Sequence, residues 1–311
     1  MSYRVAVTGA GDLLPRCRFP ASGATLHVAV SGGPDSVGLT LLAHQAGHSL
    51  HLHHVNHHLR ADSDIDARCV RALAERLGVP VTVHDVTVDA GKGVEAGARA
   101  ARRAVLPIGA ITGHTMDDLA ETIVINLLRG AGRDGLSPMV GSPTKPLLLI
   151  RRSELRAFVE QSGVEFVTDA TNDDLTIVRN DVRHSVIPVL NRVAGRDVVP
   201  ILARQAYIMA EESSWLDEMT LNDRLLTLEN ADCRELRMWH PSRLARWIRL
   251  VLLREDVDGV HPPTAAEVER VMTVIRGEAT ATELEGGRRV ARHRQVLSVS
   301  VSAPATLRPN E

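Results

Sequence analysis

The chain reads as an α/β protein: a parallel sheet flanked by helices, followed by a smaller, mainly helical domain that ends in a β-hairpin. Three observations predict this. From about residue 26 to residue 150, short apolar or β-branched runs alternate with helix-like stretches. From residue 196 the helix-like segments follow one another without strands, and a final stretch over 283–301, with Gly286-Gly287 near its start, reads as the hairpin. The boundary is expected near residue 195, giving domains 1–195 and 196–311. A chain of 311 residues with 44% hydrophobic content can bury one sizeable core and a smaller second one.

Taken in order, strands are expected over 26–30, 49–55, 81–86, 109–112 and 146–150, with helices over 36–45, 62–77, 94–104 and 117–128. Asp62 or Ser63 supplies an N-cap to the second helix, and Gly78-Val79-Pro80 stops it. In the fourth helix Leu119, Ile123 and Leu127 form an i, i+4, i+8 stripe expected to face the sheet. Ser153 is expected to cap a helix running to Gln161, with a short strand over 164–167 and a helical segment over 180–191. Further helices are expected over 198–219, 241–254 and 264–276.

Composition narrows the partners. The apolar runs are far too short to span a bilayer and the N-terminus lacks a signal-peptide pattern, so a soluble cytoplasmic protein without membrane contact is expected. Cys17, Cys69 and Cys233 are widely spaced and give neither a disulfide framework nor a metal pair. Net charge is only −2, so a nucleic-acid partner must be met by a local basic patch. All 36 basic residues except Lys92 and Lys145 are arginine, which suits phosphate recognition and equally matches a GC-rich genome. The residues leave the oligomeric state open, a homodimer included.

Four segments carry chemistry. Ser31-Gly32-Gly33-Pro34-Asp35-Ser36 joins the end of the first strand to a helix start, where glycines allow close backbone approach and helix N–H groups attract phosphate. Its hydroxyls add donors, and Asp35 is a candidate magnesium ligand. The run His53-His54-Val55-Asn56-His57-His58-Leu59-Arg60 ends the second strand. It lacks the spacing of a metal site, so His57 and Arg60 are read as nucleotide contacts. In the third segment His114 precedes a helix whose first turns carry Asp117, Asp118 and Glu121. Such acids compensate the helix dipole, and beside a phosphate loop they also suit Mg2+ binding and acid/base work. Arg129 and Arg133 follow in a glycine-rich basic loop. The fourth segment, 169–190, holds Asp169, Asn172 and Asp173 in a polar turn, then Arg179 and Arg183 at helical spacing. Thr8-Gly9-Ala10-Gly11 superficially matches a dinucleotide fingerprint and is rejected because no glycine-opened helix follows.

On these residues the chain resembles the N-type ATP pyrophosphatases, or PP-loop proteins, and within them the tRNA(Ile)-lysidine synthetase family. The resemblance rests on SGGPDS, the 54–60 run, Glu95-Ala96-Gly97-Ala98-Arg99 with Arg102, His114 with Asp117-Asp118 and Glu121-Thr122, Arg129-Gly130, and Arg179-Asn180 with Arg183 and Pro188. It covers roughly residues 26–190. It implies ATP and Mg2+ as cofactors and a tRNA(Ile) with a CAU anticodon and free L-lysine as partners. The implied reaction adenylates the C2 oxygen of the wobble cytidine with release of pyrophosphate, and free lysine then displaces AMP at C2. The phosphate loop would hold pyrophosphate; Asp35 and Asp117 would serve magnesium; Asp118 with His114 would form the acid/base pair; Glu121 would bind the ammonium. Recognition of tRNA is expected of Arg129, Arg133, Arg179 and Arg183, with Arg243, Arg246 and Arg249 on a later helix. The departure from the family is a shortened interval between Arg102 and Gly113, which predicts a remodelled sheet edge. Alternatives are a PP-loop tRNA thiolation enzyme and a tRNA-binding relative without activity.

Overall fold

Alternation of leucine and valine with polar residues builds the first three strands. The computed structural model describes residues 9–21, 23–58, 63–88, 94–168, 174–221, 231–256 and 259–301, with side chains throughout except at 94–96, 254–256 and 259–261. The chain divides into two compact units, Met1–Glu211 and Glu212–Glu311. The division falls within a long helix rather than near residue 195, where Gly195 in the left-handed region merely ends a shorter one.

In the first unit β1 (Leu26–Ala29), β2 (Leu50–Asn56) and β3 (Val81–Asp85) pair in parallel in that order. Parallel neighbours require crossovers, supplied by α2 (Pro34–Gln45) and α3 (Ser63–Leu77); α1 (Ala10–Leu13) precedes them. Leu26, Val28, Leu50 and Leu52 bury one sheet face against Leu39, Leu42, Val70 and Leu73, with Leu155 and Val159 of α6 (Arg152–Gln161) in the same core. Between α3 and α6 lie α4 (Val94–Val105) and α5 (Met116–Leu128).

Two expected strands are reduced to single bridges. Residues 109–112 pair only through Ile111, which bridges Val28 in parallel, and 146–150 only through Leu147, which bridges Thr115. The physical reason is the short connection: α4 ends at Val105 and a turn closed by Ala110 N donating to Pro107 O delivers Ile111 to β1 with no residues to spare. The shortened interval thus closes the sheet edge with minimal pairing. Residues 164–167 form no strand. Nor does Ser153 cap α6: Arg151 occupies the N-cap position, and Glu154 accepts from its backbone N–H.

The α5 stripe faces other partners than expected. Leu119 and Ile123 pack on Leu148, Ala203 and Ala206 of α9 (Val199–Leu221), while Leu127 is exposed. The opposite side, Ala120 and Val124, packs on Val182, Ile187 and Val199. The segment before α9 is α7 (Val178–Asp181), a π turn over Val182–Val186, and α8 (Ile187–Ala194). Pro188 lacks the N–H that would bond the carbonyl four residues back, which accounts for the wider turn preceding it.

The second unit has an apolar core of its own. Helices α10 (Cys233–Leu236), α11 (Pro241–Val251) and α12 (Ala265–Arg276) surround Trp247, Ile248, Leu236, Val271 and Ile275. A short antiparallel pair, β4 (Arg254–Asp256) and β5 (Gly259–His261), precedes α12. The expected terminal hairpin is present as β7 (Arg288–His293) and β8 (Val296–Val301), with a third antiparallel strand, β6 (Ala281–Leu284), on its edge. Among the described residues no helix is long and apolar enough to cross a membrane.

Candidate active site

The turn after β1 is organised by its serines. Gly32 adopts φ +91°, which favours glycine, and Gly33 is the N-cap of α2 without a side-chain cap. Ser36 Oγ donates to Gly33 O (2.9 Å) and accepts from Ser31 N (3.2 Å); Ser31 Oγ lies 3.2 Å from Ser36 Oγ. The uncapped first turn therefore presents N–H groups to an anion, with the positive end of the helix dipole behind them.

Opposite this turn stands the opening of α5. Thr115 caps it reciprocally: its N–H and Oγ1–H both donate to Asp118 Oδ2 at 2.7 Å, and Asp118 N donates back to Thr115 Oγ1 at 3.5 Å. Close approach is built in at Gly113, where a Cβ would sit 2.6 Å from Asp35 O. The link between the two pieces is Arg152. Its Nε bonds Asp35 Oδ2 (3.4 Å), its Nη2 Asp118 Oδ1 (2.8 Å) and its Nη1 Glu121 Oε1 (2.9 Å).

Two more guanidinium groups converge there. Arg179 donates to Glu121 Oε2 (2.9 Å) and Asp118 Oδ1 (3.0 Å), and Arg183 to Glu121 Oε1 (2.8 Å). They lie four residues apart on one helical run, which brings both to one carboxylate. Asp118 and Glu121 are buried, and the arginines hold Asp118 well below the usual carboxylate range despite burial. Asp117 points elsewhere: Arg151 grips both of its oxygens, Arg152 N donates to Oδ2 (2.8 Å), and Arg151 also pairs with Asp197. Asp35 differs from all three. Burial, reinforced by the nearby Asp118 charge, raises it to about 6, and its Oδ1 is buried with no hydrogen-bond partner.

His114 and His57 face a basic wall. Burial, with the Lys145 charge adding to it, lowers His114 to about 3, and His114 Nδ1 meets Thr112 Oγ1 at 2.8 Å. Lys145 donates to the same hydroxyl, and burial together with Arg102, Arg99 and Arg103 of α4 lowers it to about 8. His57 is lowered by burial and by Arg102, and its Nδ1 is buried without a partner.

Of the site residues read from the sequence, Ser31, Gly32, Gly33, Pro34, Asp35, Ser36, His114, Asp118, Glu121, Arg179 and Arg183 thus come together around Arg152. Arg129 and Arg133 lie apart from this cluster, exposed beyond the end of α5. Arg60 and the turn residues Asp169, Asn172 and Asp173 fall outside the described residues, as does the Glu95 side chain. Arg243 stacks over Trp239 (3.8 Å), and Arg246 bonds Asp217 Oδ1 (2.6 Å), so both are engaged within the second unit. Sequence reasoning missed Arg151, Arg152 and Lys145. The arginines were available as a basic pair at the start of α6, and Lys145 as one of only two lysines.

The PP-loop domain family matches residues 14–190. A tRNA(Ile)-lysidine synthase from Thermus thermophilus is 41% identical over 209 residues, 62% of this chain and 40% of that protein. Another from Leifsonia xyli subsp. xyli is 35% identical over 269 residues, 79% of this chain and 81% of that protein. The chain therefore spans less than half the length of the Thermus relative and about four fifths of the Leifsonia one. Among solved structures, a tRNA thiolase from Methanococcus maripaludis superposes with a TM-score of 0.51 at 14% identity, covering 65% of this chain and 78% of that one, a likeness of fold. The family match over more than half of the chain and the shared length with the Leifsonia protein lead to one assignment: the chain belongs to the tRNA(Ile)-lysidine synthase family of PP-loop proteins.

Proposed function

We propose that this protein joins free L-lysine to C2 of the wobble cytidine of a CAU-anticodon tRNA(Ile), using ATP and releasing AMP and pyrophosphate. The observation that carries the reading is Arg152, which ties the phosphate loop at Asp35 to the acidic opening of α5 at Asp118 and Glu121. Adenylation and lysine attack need a phosphate grip and an ammonium-attracting carboxylate pair within one small space.

In the first step the cytosine C2 oxygen attacks the α-phosphorus of ATP and pyrophosphate leaves. Ser31, Gly32, Gly33 and Ser36 receive that leaving group on N–H and hydroxyl donors, and Arg152 stands ready to offset its charge. His57, with its unpartnered Nδ1, and Arg60 are assigned to the nucleotide. Asp35 fits a hard cation: its orphaned, buried oxygen is the donor that Mg2+ seeks, whereas both oxygens of Asp117 are already taken. Magnesium, when bound, supplies charge neutralisation to the phosphates.

In the second step the ε-amine of lysine attacks C2 and AMP departs. Free lysine carries an ammonium with pKa near 10.4, so it must be held and then deprotonated. Asp118 and Glu121 are assigned to the ammonium, which exchanges for one of the guanidinium contacts that fill their oxygens. Asp118 is poorly suited to take a proton, and His114, held neutral, hydrogen-bonds without charging. Lys145, lowered to about 8, is the group on this edge best matched to accept a proton near neutrality. Arg129 and Arg133, exposed, are assigned to tRNA phosphates together with Arg179 and Arg183 at the site mouth.

Thiolation needs a reactive thiolate, and burial raises all three thiols, Cys17 to about 12. The test is pyrophosphate release with tRNA(Ile), ATP and Mg2+, and AMP release with and without lysine. Lysine-dependent AMP release that falls in Asp118→Asn supports the assignment, and its pH profile shifts in Lys145→Met if Lys145 takes the proton. Activity with a sulfur donor in place of lysine, or intact lysine-dependent release in Asp118→Asn, refutes it.

A further inference from the structure

A second group of potential ligands lies on the other face of the sheet. Strand alternation sends Leu26, Val28, Leu50 and Leu52 into the core and His27, His51 and His53 to the opposite side. Parallel pairing sets His27 beside His51 and Ala29 beside His53. One nitrogen from each of His27, His51 and His53 lies within 4.8 Å of the other two. His27 Nδ1 and His53 Nε2 are only 2.9 Å apart. Two imidazole nitrogens bound to one zinc, each about 2.0–2.1 Å from it, lie roughly 3–3.5 Å from each other, so the spacing is close to that of a bound ion.

We propose that His27, His51 and His53 form a binding site for a divalent transition metal of the zinc class, with His84 and Thr82 as its outer hydrogen-bond partners. Three imidazoles with an open fourth position make a ligand set that such ions accept. Outer partners are in place: His53 Nδ1 lies 3.1 Å from His84 Nε2, and His51 Nε2 lies 2.9 Å from Thr82 Oγ1. Contacts of this kind fix the tautomer and orientation of a ligating ring. The rings of His51 and His53 stack at 4.4 Å, and χ2 is a broad torsion for histidine, so small ring adjustments that keep the outer contacts bring the three nitrogens onto one ion. His27 and His51 are half-buried, which leaves room for that motion. The site is separate from the phosphate loop, because its three side chains stand on the sheet face, whereas Ser31 follows the end of β1. A bound ion would clamp β1 to β2, a structural role.

Titration of the full chain with Co2+, followed by competition with Zn2+, tests this. The expected result is one tight equivalent per chain with the intense visible bands of four-coordinate cobalt, bleached by zinc. His84→Gln should weaken binding ~10–100-fold, and His27→Gln and His51→Gln by more than that. His44→Gln, on an exposed position of α2, should leave it unchanged. Far-ultraviolet circular dichroism confirms that each variant folds. Absence of a tight equivalent, or the same affinity in His27→Gln and His51→Gln as in the wild type, overturns the proposal.

Discussion

Two helices in this molecule begin with the same local device and put it to different use. At α5, Thr115 and Asp118 cap each other; at α12, Thr264 and Glu267 do the same, with Thr264 Oγ1 donating to Glu267 Oε2 at 2.9 Å. Both carboxyls are buried and both are lowered. They differ in the remaining oxygen. Glu267 Oε1 accepts a backbone N–H from Glu285, which ties α12 to the turn before β7. Asp118 Oδ1 accepts from Arg152 and Arg179 and so joins a network of charges. A capping box is a local signal, and only its distant partners decide whether the carboxylate ties down a turn or enters a network of charges.

The sharpest way to break this contrast is Glu121→Ala, which strands Arg152, Arg179 and Arg183 around a vacated partner. Loss of a buried ion-pair partner costs about 3–5 kcal/mol, to be read from urea unfolding. A loss as small as a capping effect would mean that the arginines simply turn to solvent. Next in size, Asp118→Asn should lower lysine-dependent AMP release by ~10²–10³-fold while the chain stays folded, whereas Glu267→Gln leaves that rate unchanged. Thr264→Ala should cost about 1 kcal/mol of stability, visible as a lowered melting temperature with activity intact.

The last test concerns a third helix start. Asp35 at α2 has no capping threonine and is raised to about 6, opposite to Asp118 and Glu267. The native chain therefore binds a proton there more tightly than the unfolded chain does. Its contribution to stability is fully present below pH 3.8 and is lost as pH rises towards and through about 6. In magnesium-free buffer Asp35→Asn should thus gain melting temperature relative to wild type between about pH 4 and pH 6. His114, lowered to about 3, acts with the opposite sign, losing its contribution as pH falls from 6.5, and it cancels in the comparison of the two proteins. A flat difference curve would show that Asp35 is not buried as described.

Much of the architecture was legible because it is local. The strands 26–30, 49–55 and 81–86 and the helices between them follow from period and stop signals, and Ser31 to Ser36 announces a phosphate turn from six adjacent residues. The elements that were misread depend on the chain's surroundings. Residues 109–112 and 146–150 have strand-like composition, yet each makes only one bridge; for 109–112 the connection from α4 leaves little length to pair. Arg151 and Arg152 carry no pattern that tells a helix start from a bridge between two carboxylate groups.

By itself the amino-acid order determined the parallel sheet, the phosphate turn and the acidic opening of α5, since each depends on spacing within a few residues. Tertiary structure alone decided that one guanidinium joins Asp35 to Asp118 and Glu121, that Lys145 stands beside His114, and that histidines from three strands gather on one sheet face. Charges and ring nitrogens act over a few ångströms, and which of them come that close is set by how distant segments pack.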